Sequence, residues 1–145
     1  MHRIDVAEKV QGYGKYPDDI DEIDQPGLTY ASAVRSKYPR ARVLSIDTSK
    51  AEALPGVVGI LRAEDVPVNQ VGHLIQDWDV MIAQGDITRC VGDAIVLVVA
   101  EDEATLEKAK KLVKIDYEPL EPVRNIAEAR SADAPRLHDS FFAFG

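Results

Sequence analysis

The stretch AIVLVVAEDEATLEKAKKLVKIDYEP, residues 94–119, decides the fold class of this chain. Its first seven residues are all apolar, which is typical of a strand buried on both faces. The following residues begin at Asp102, a suitable helix N-cap, and place apolar side chains at helical spacing from Leu106 to Val113. Residues 113–118 then alternate between apolar and charged side chains, as in a strand with one solvent-exposed face. The order predicts a strand–helix–strand unit with a right-handed crossover.

Three more strands are predicted upstream, and they cover residues 28–36, 41–49 and 57–63. In the second of them, Leu44 and Ile46 are expected to share one face because strand side chains alternate. Gly59, inside the third strand, indicates either a bulge or close packing. The sequence therefore predicts an α+β or α/β domain: a mixed sheet that contains the strand–helix–strand unit, with one main helix packed on it.

Two segments lack sustained periodicity. Residues 1–27 are polar and turn-rich, and we expect irregular chain with one short strand before a turn at Pro26 and Gly27. Residues 68–89 contain isolated apolar residues, with short strands expected at 71–75 and 80–82. Long irregular connections of this kind tend to be functional or to lie against a partner. Trp78 could anchor such a partner or pack back onto its own domain, and the sequence leaves both open.

Composition limits the classes of partner. The chain has 145 residues, 46% of them hydrophobic, and a net charge of −8, which suits one acidic globular domain and disfavours nucleic acid or anionic membranes. The basic residues Lys37, Arg40 and Arg42 lie close together, but a solvated loop is the favoured interpretation. A single cysteine cannot form an internal disulfide, and the N-terminus carries no apolar stretch of signal-peptide length, so we expect a cytoplasmic protein.

The sequence gives little support for any of the candidate reactive groups. Cys90 would need a cation, a histidine or a helix N-terminus to lower its thiol pKa, and a small residue entering a strand is the favoured interpretation. His2, His73 and His138 have no metal-ligand spacing to one another or to Cys90. No nucleophile-elbow sequence is present.

Two further stretches imitate known binding motifs. QGYGKYP, residues 11–17, has Pro17 in place of the third glycine of a dinucleotide fingerprint and lacks the first glycine of a P-loop. DDIDEID, residues 18–24, has Ile23 where a calcium loop needs an oxygen ligand. The residues alone therefore indicate no catalytic or metal-binding constellation.

Three long blocks, in order, resemble a known family. They are KVQGYGKYPDDI at 9–20, AVRSKYPRARVLSIDTSKAEALPGVVGILRAEDVP at 33–67, and RCVGDAIVLVVAEDEATLEKAKKLVKIDYEPLEPV at 89–123. Together they resemble the a/b hammerhead domain of the xanthine dehydrogenase and aldehyde oxidase family, the molybdenum hydroxylases. That domain opens the large molybdopterin-binding part of the enzyme.

The resemblance implies a non-catalytic structural domain. It implies that residues 1–145 form one hammerhead domain, with 1–27 as an entry segment and 124–145 as an exit toward a molybdopterin domain absent from this chain. It also implies that this chain holds no cofactor, metal or catalytic residue. Molybdopterin-molybdenum, iron–sulfur clusters and FAD would lie on other domains or subunits, its partners. The parent enzyme would be an oxidoreductase that hydroxylates purines, other heteroaromatic rings or aldehydes.

The turn before the apolar strand is the candidate contact with the molybdopterin domain, through Arg89, Cys90, Gly92 and Asp93. Asp93 and Ala94 stand where many family members carry glutamine and proline. Two other functions remain open: a stand-alone binding or adaptor module with the same fold, and a small enzyme that uses Cys90.

Overall fold

The computed structural model describes residues 4–20 and 25–136. In chain order these form α1 (Val6–Gln11), β1 (Tyr30–Arg35), β2 (Ala41–Asp47), α2 (Ser49–Glu52), β3 (Val57–Leu61), β4 (Gln70–Val71), β5 (Trp78–Asp79), β6 (Ala94–Ala100), α3 (Glu103–Leu112), β7 (Lys114–Pro119) and α4 (Ile126–Ala129). Short 3-10 turns lie at Pro17–Asp19 and Ala63–Asp65. The predicted strands near residues 28–63 and the long helix are confirmed.

The strands form small antiparallel sheets. β6 lies between β1 and β3, β2 pairs with β7, and β4 pairs with β5. The α+β class is confirmed. The prediction of a single mixed sheet with a right-handed crossover from β6 to β7 is wrong, because β6 and β7 lie in different sheets. Both edges of β6 are occupied by β1 and β3, so no edge is left for β7, which pairs with β2 instead.

The core includes the contact between the three-stranded sheet and α3, together with Val43 and Ile46 of β2 and Ile82. Val96, Val98 and Ala100 of β6 are fully buried in one cluster with Leu106 and Ala109 of α3. The alternate residues Leu97 and Val99 stay partly exposed. Ile95, earlier in the same strand, is fully buried, so the expected burial on both faces of β6 is met at Ile95 and Val96 but not at Leu97 and Val99.

Bulges interrupt two of the strands, β2 and β3. The register of β2 against β7 shifts between Val43 and Ser45, so Leu44 is turned outward and is 50% exposed while Ile46 is buried. The expectation that Leu44 and Ile46 share a face is wrong. In β3 the register shifts between Val57 and Gly59, which confirms the predicted bulge. A Cβ at Gly59 would meet nothing within 4 Å, so close packing is not the reason for this glycine.

The N-terminal segment contains a helix where a short strand was expected. Gly12 ends α1 in a left-handed conformation, and the Tyr13 N–H donates to the Glu8 carbonyl at 2.9 Å. The glycine of QGYGKYP therefore closes a helix. The turn at Pro26 and Gly27 is confirmed by a 3.1 Å bond from the Leu28 N–H to the Gln25 carbonyl.

The predicted N-cap of α3 is confirmed, since the Asp102 carboxylate accepts from the Thr105 N–H at 2.8 Å. A bond from the Thr105 hydroxyl and, after it, this backbone bond lower the pKa of Asp102.

We expect Asp102→Ala to lower the thermal midpoint by a few degrees at neutral pH. Because the folded-state pKa is depressed, the difference from wild type should be complete above about pH 4 and vanish as pH falls through the folded-state pKa. Thermal melts of both proteins across this range check it; a difference that persists in acid would contradict it.

Candidate inter-domain site

The turn that precedes β6 is organised around the carboxylate of Asp93. This side chain is 9% exposed and accepts hydrogen bonds from the backbone N–H groups of Arg89, at 2.6 Å, and Cys90, at 3.1 Å. A carboxylate that accepts two backbone donors fixes a turn more strongly than a neutral acceptor does. The carboxylate at position 93 therefore holds residues 89–93 in one closed shape.

The same turn is fastened to the end of β1. The Ser36 N–H donates to the Asp93 carbonyl at 2.8 Å, and the Gly92 N–H donates to the Ser36 carbonyl at 2.9 Å. The Arg35 guanidinium donates to the Gly92 carbonyl at 2.8 Å. Gly92 has φ of 99°, which favours glycine over any residue with a side chain. The four residues singled out from the sequence thus share one rigid turn.

The thiol of Cys90 is held in its protonated form. It donates to the Asp93 carboxylate at 3.0 Å, and this bond, a slight loss of hydration and the neighbouring negative charge all raise the pKa of Cys90, although the residue is exposed. A nucleophilic cysteine needs the opposite shift, toward thiolate at neutral pH. The geometry therefore opposes an enzyme built on Cys90.

We expect iodoacetamide to alkylate Cys90 of the native chain more slowly than free cysteine at neutral pH, because thiolate is the reacting species. Asp93→Asn should raise the rate, since it removes the charge that opposes ionisation. Unfolded wild type in urea is the control and should react as free cysteine does. Native alkylation faster than free cysteine would contradict this account.

Arg89 joins the turn to the hairpin formed by β4 and β5. Its guanidinium forms an ion pair with the Asp79 carboxylate at 3.1 Å and donates to the Asp77 carbonyl. At the base of the hairpin, the Asn69 side chain donates to the Met81 carbonyl at 2.8 Å and accepts from its N–H at 3.0 Å. Nothing in the sequence pattern signals these links, because each joins residues ten or more positions apart in a segment with little periodicity.

The hairpin and the turn present apolar side chains to solvent. Leu74 is 99% exposed, Trp78 54% and Val91 63%. Of the two roles left open for Trp78, packing back into the core is therefore not what the fold adopts. The hairpin loop is also tightly closed at Gly72, where a Cβ would come within 1.8 Å of the Ile75 carbonyl oxygen.

An open groove of about 1190 Å³ lies beside the turn. Its lining includes Arg89, Cys90 and Val91 of the turn together with Pro135 and Arg136 of the predicted exit segment. Arg40 and Arg42, which line it, are hydrogen-bonded within the chain, and Arg42 lies in β2, so the solvated-loop interpretation does not hold for Arg42. The Arg40 guanidinium donates to the Glu121 carbonyl at 3.1 Å and that of Arg42 to the Gly85 carbonyl at 2.8 Å.

Other sequence candidates are not brought together. Within residues 4–20 and 25–136, no three His, Cys, Asp or Glu side chains group closely enough to hold a metal ion. His73 is exposed, while His2 and His138 lie outside the described residues, as does most of the acidic stretch 18–24. None of the helices in the described part is long and apolar enough to cross a bilayer.

Comparison with known proteins supplies the family. Residues 11–121 match the model described as aldehyde oxidase and xanthine dehydrogenase, a/b hammerhead domain. A probable xanthine dehydrogenase subunit of Bacillus subtilis (strain 168) is 38% identical over 94% of this chain and 18% of its own length. The nicotinate dehydrogenase large molybdopterin subunit of Eubacterium barkeri is 34% identical over 94% of this chain and 31% of its length.

A solved structure agrees with this result. The aldehyde oxidoreductase of Desulfovibrio gigas superposes with a TM-score of 0.82 and 28% identity, over 94% of this chain and 16% of that one. The chain thus spans less than a third of the length of each of these relatives, and the resemblance seen in its sequence is confirmed. It belongs to the a/b hammerhead domain family of aldehyde oxidases and xanthine dehydrogenases.

Proposed function

We propose that this chain is a non-catalytic structural domain of the molybdenum-binding subunit of a hydroxylase, and that its turn at residues 88–93 contacts the molybdopterin domain. The parent enzyme would be an oxidoreductase acting on a purine, another heteroaromatic ring or an aldehyde. Family membership supports the class of the parent, since the relatives include a xanthine dehydrogenase subunit and a nicotinate dehydrogenase molybdopterin subunit.

The observation that carries the proposal is the internal use of the polar groups of the turn. The Asp93 carboxylate is occupied by two backbone donors and a thiol, and the Arg89 guanidinium by the hairpin. These groups are not poised to move a proton or attack a substrate. Among the exposed residues of the turn, Val91 is apolar and is 63% exposed. A rigid turn that displays an apolar side chain suits protein–protein contact.

The residues of this chain do not fit the cofactors of the parent. An iron–sulfur cluster needs several cysteine thiolates, and the chain has one cysteine, whose thiol is held protonated. Arg40 and Arg42, which line the groove, are bonded to carbonyls of the chain itself. Molybdopterin, iron–sulfur clusters and FAD are therefore assigned to other domains or subunits. A single cysteine also suits the reducing cytoplasm.

The position of the exit segment supports the direction of the contact. Pro135 and Arg136 line the same groove as Cys90 and Val91, so polypeptide continuing from residue 136 would start beside the turn. We accordingly assign residues 1–145 to one hammerhead domain, with the segment from 124 onward directed toward the molybdopterin domain.

Co-purification tests the proposal. The chain is co-expressed with the molybdopterin-binding polypeptide of the same genome, and both are purified through a tag on the chain. We expect an equimolar complex that contains molybdenum, whereas the chain alone contains none. Val91→Glu should weaken the complex about tenfold or more, because it places a charge in a contact that excludes water.

Ala104→Glu is the matched control, since Ala104 is exposed on the first turn of α3, away from the groove, and should leave the complex unchanged. Failure of the wild-type chain to bind, with stable folding alone, would contradict the proposal and favour an adaptor module. Molybdenum bound stoichiometrically by the chain alone would also contradict it.

A further inference from the structure

The three-stranded sheet has one face that the described residues leave open. Strand register sets two rows across it: Ala31, Val99 and Gly59 in the first, and Ala33, Leu97 and Leu61 in the second. Successive residues of a strand point to opposite faces, so these six lie opposite the face that packs on α3. The open face is defined here by these six residues.

The exposure of individual residues shows that no part of the chain within 4–20 and 25–136 covers this face. On β6, Val96, Val98 and Ala100 are fully buried, whereas the intervening Leu97 and Val99 are partly exposed. On the neighbouring strands Ala31 is exposed and Leu61 is 42% exposed. The space above Gly59 is empty within 4 Å of where a Cβ would lie.

The composition of the open face specifies the chemistry of its partner. All six residues are apolar or glycine, and none is charged. Their small members, Ala31, Ala33 and Gly59, flank the side chains of the central strand, so another layer can approach closely. An antiparallel sheet with one solvated face usually alternates apolar and polar residues, whereas β6 is apolar throughout, so a second layer is expected on its open face. The complement is therefore an uncharged apolar layer of polypeptide.

We infer that the open face is covered by an apolar layer of the same molybdenum-binding subunit, contributed by polypeptide outside residues 1–145, an inference that rests on the proposed function. The length of the relatives supports this occupant. In the Desulfovibrio gigas enzyme the matching region is 16% of the chain, so most of that polypeptide lies outside it. A permanent intramolecular neighbour also suits a face without charges, because transient partners tend to use more polar surfaces.

The first test is cysteine protection in the assembled enzyme. Ala31→Cys in a Cys90→Ser background gives a thiol on the open face. It should react rapidly with a maleimide in the isolated chain and at least about tenfold more slowly in the complex with the molybdopterin-binding polypeptide, measured on the tryptic peptide by mass spectrometry. Ala104→Cys in the same background is the control and should react equally in both. Equal rates at position 31 in both states would overturn the inference.

A second variant tests the same face by charge. Ala31→Glu should leave the thermal midpoint of the isolated chain nearly unchanged, because Ala31 is exposed there, but should weaken the complex at least about tenfold. The inference fails, while the proposed function stands, if Val91→Glu disrupts the complex and Ala31→Glu does not. If the wild-type chain forms no complex, the proposed function itself fails.

A second copy of the chain is the alternative occupant, and it is tested without the partner. Sedimentation of the isolated wild-type chain should give a monomer. A dimer that dissociates on Ala31→Glu would assign the open face to self-association and overturn the inference.

Discussion

Leu106→Ala should lower the free energy of unfolding by about 2–5 kcal/mol, as large-to-small substitutions in packed cores do. Leu106 is 6% exposed and belongs to the cluster in which α3 packs on β6. Alanine is the better helix former, so a loss of this size would come from packing and from the cavity left behind. Urea unfolding of both proteins, followed by circular dichroism, measures the difference.

Leu112→Ala is the matched control, because Leu112 ends the same helix and is half-buried. Leu112→Ala should lower the free energy of unfolding by less than half as much as Leu106→Ala does. Equal losses at both positions would mean that the centre of the core does not lie where α3 crosses β6.

Asp93→Ala should lower the free energy of unfolding by about 2–3 kcal/mol, since two backbone donors and a thiol lose a charged acceptor at once. Asp93→Asn should cost less, because the amide oxygen still accepts one of these bonds. The same urea titration measures both variants.

A second effect of Asp93→Ala distinguishes a local from a global role. Loss of the turn should release the Arg89 link to the hairpin, so amide exchange should speed up at residues 89–93 and in β4 and β5 before it does in β6. Asp86→Ala is the control, an exposed aspartate near the same groove, and should change stability by less than about 0.5 kcal/mol. If amide exchange in Asp93→Ala became faster by the same factor throughout the chain, a local role for Asp93 would be contradicted.

The sequence alone predicts the elements whose stability is local. The apolar run of β6, the stripe of α3 and the Asp102 cap follow from periodicity and helix-end chemistry, and all appear as expected. Sheet membership does not follow from such signals, because the pairing of β7 depends on which edges the rest of the chain has already occupied. The exposure of Leu44 likewise depends on a bulge that alternation of residue types cannot reveal.

The candidate site, too, is predictable from the sequence only in part. The sequence singles out residues 89–93 because a cysteine and a glycine precede a buried strand. It does not reveal that Asp93 closes the turn, since a carboxylate before a strand is usually solvated. It also does not reveal that Arg89 pairs with Asp79, because the ion pair depends on a hairpin with little periodic pattern.

The sheet order β1–β6–β3 has a consequence for the time course of folding. Tyr30 of β1 and Val57 of β3 both pair with Ala100 of β6. The two outer strands therefore cannot pair until the central strand, which is translated after them, has been synthesised. Contacts so distant along the chain raise the entropy cost of loop closure and slow the folding reaction. During synthesis, therefore, residues 30–61 leave the ribosome with unpaired edges, and the nascent polypeptide depends on the emergence of residues 94–112 before its interior can collapse.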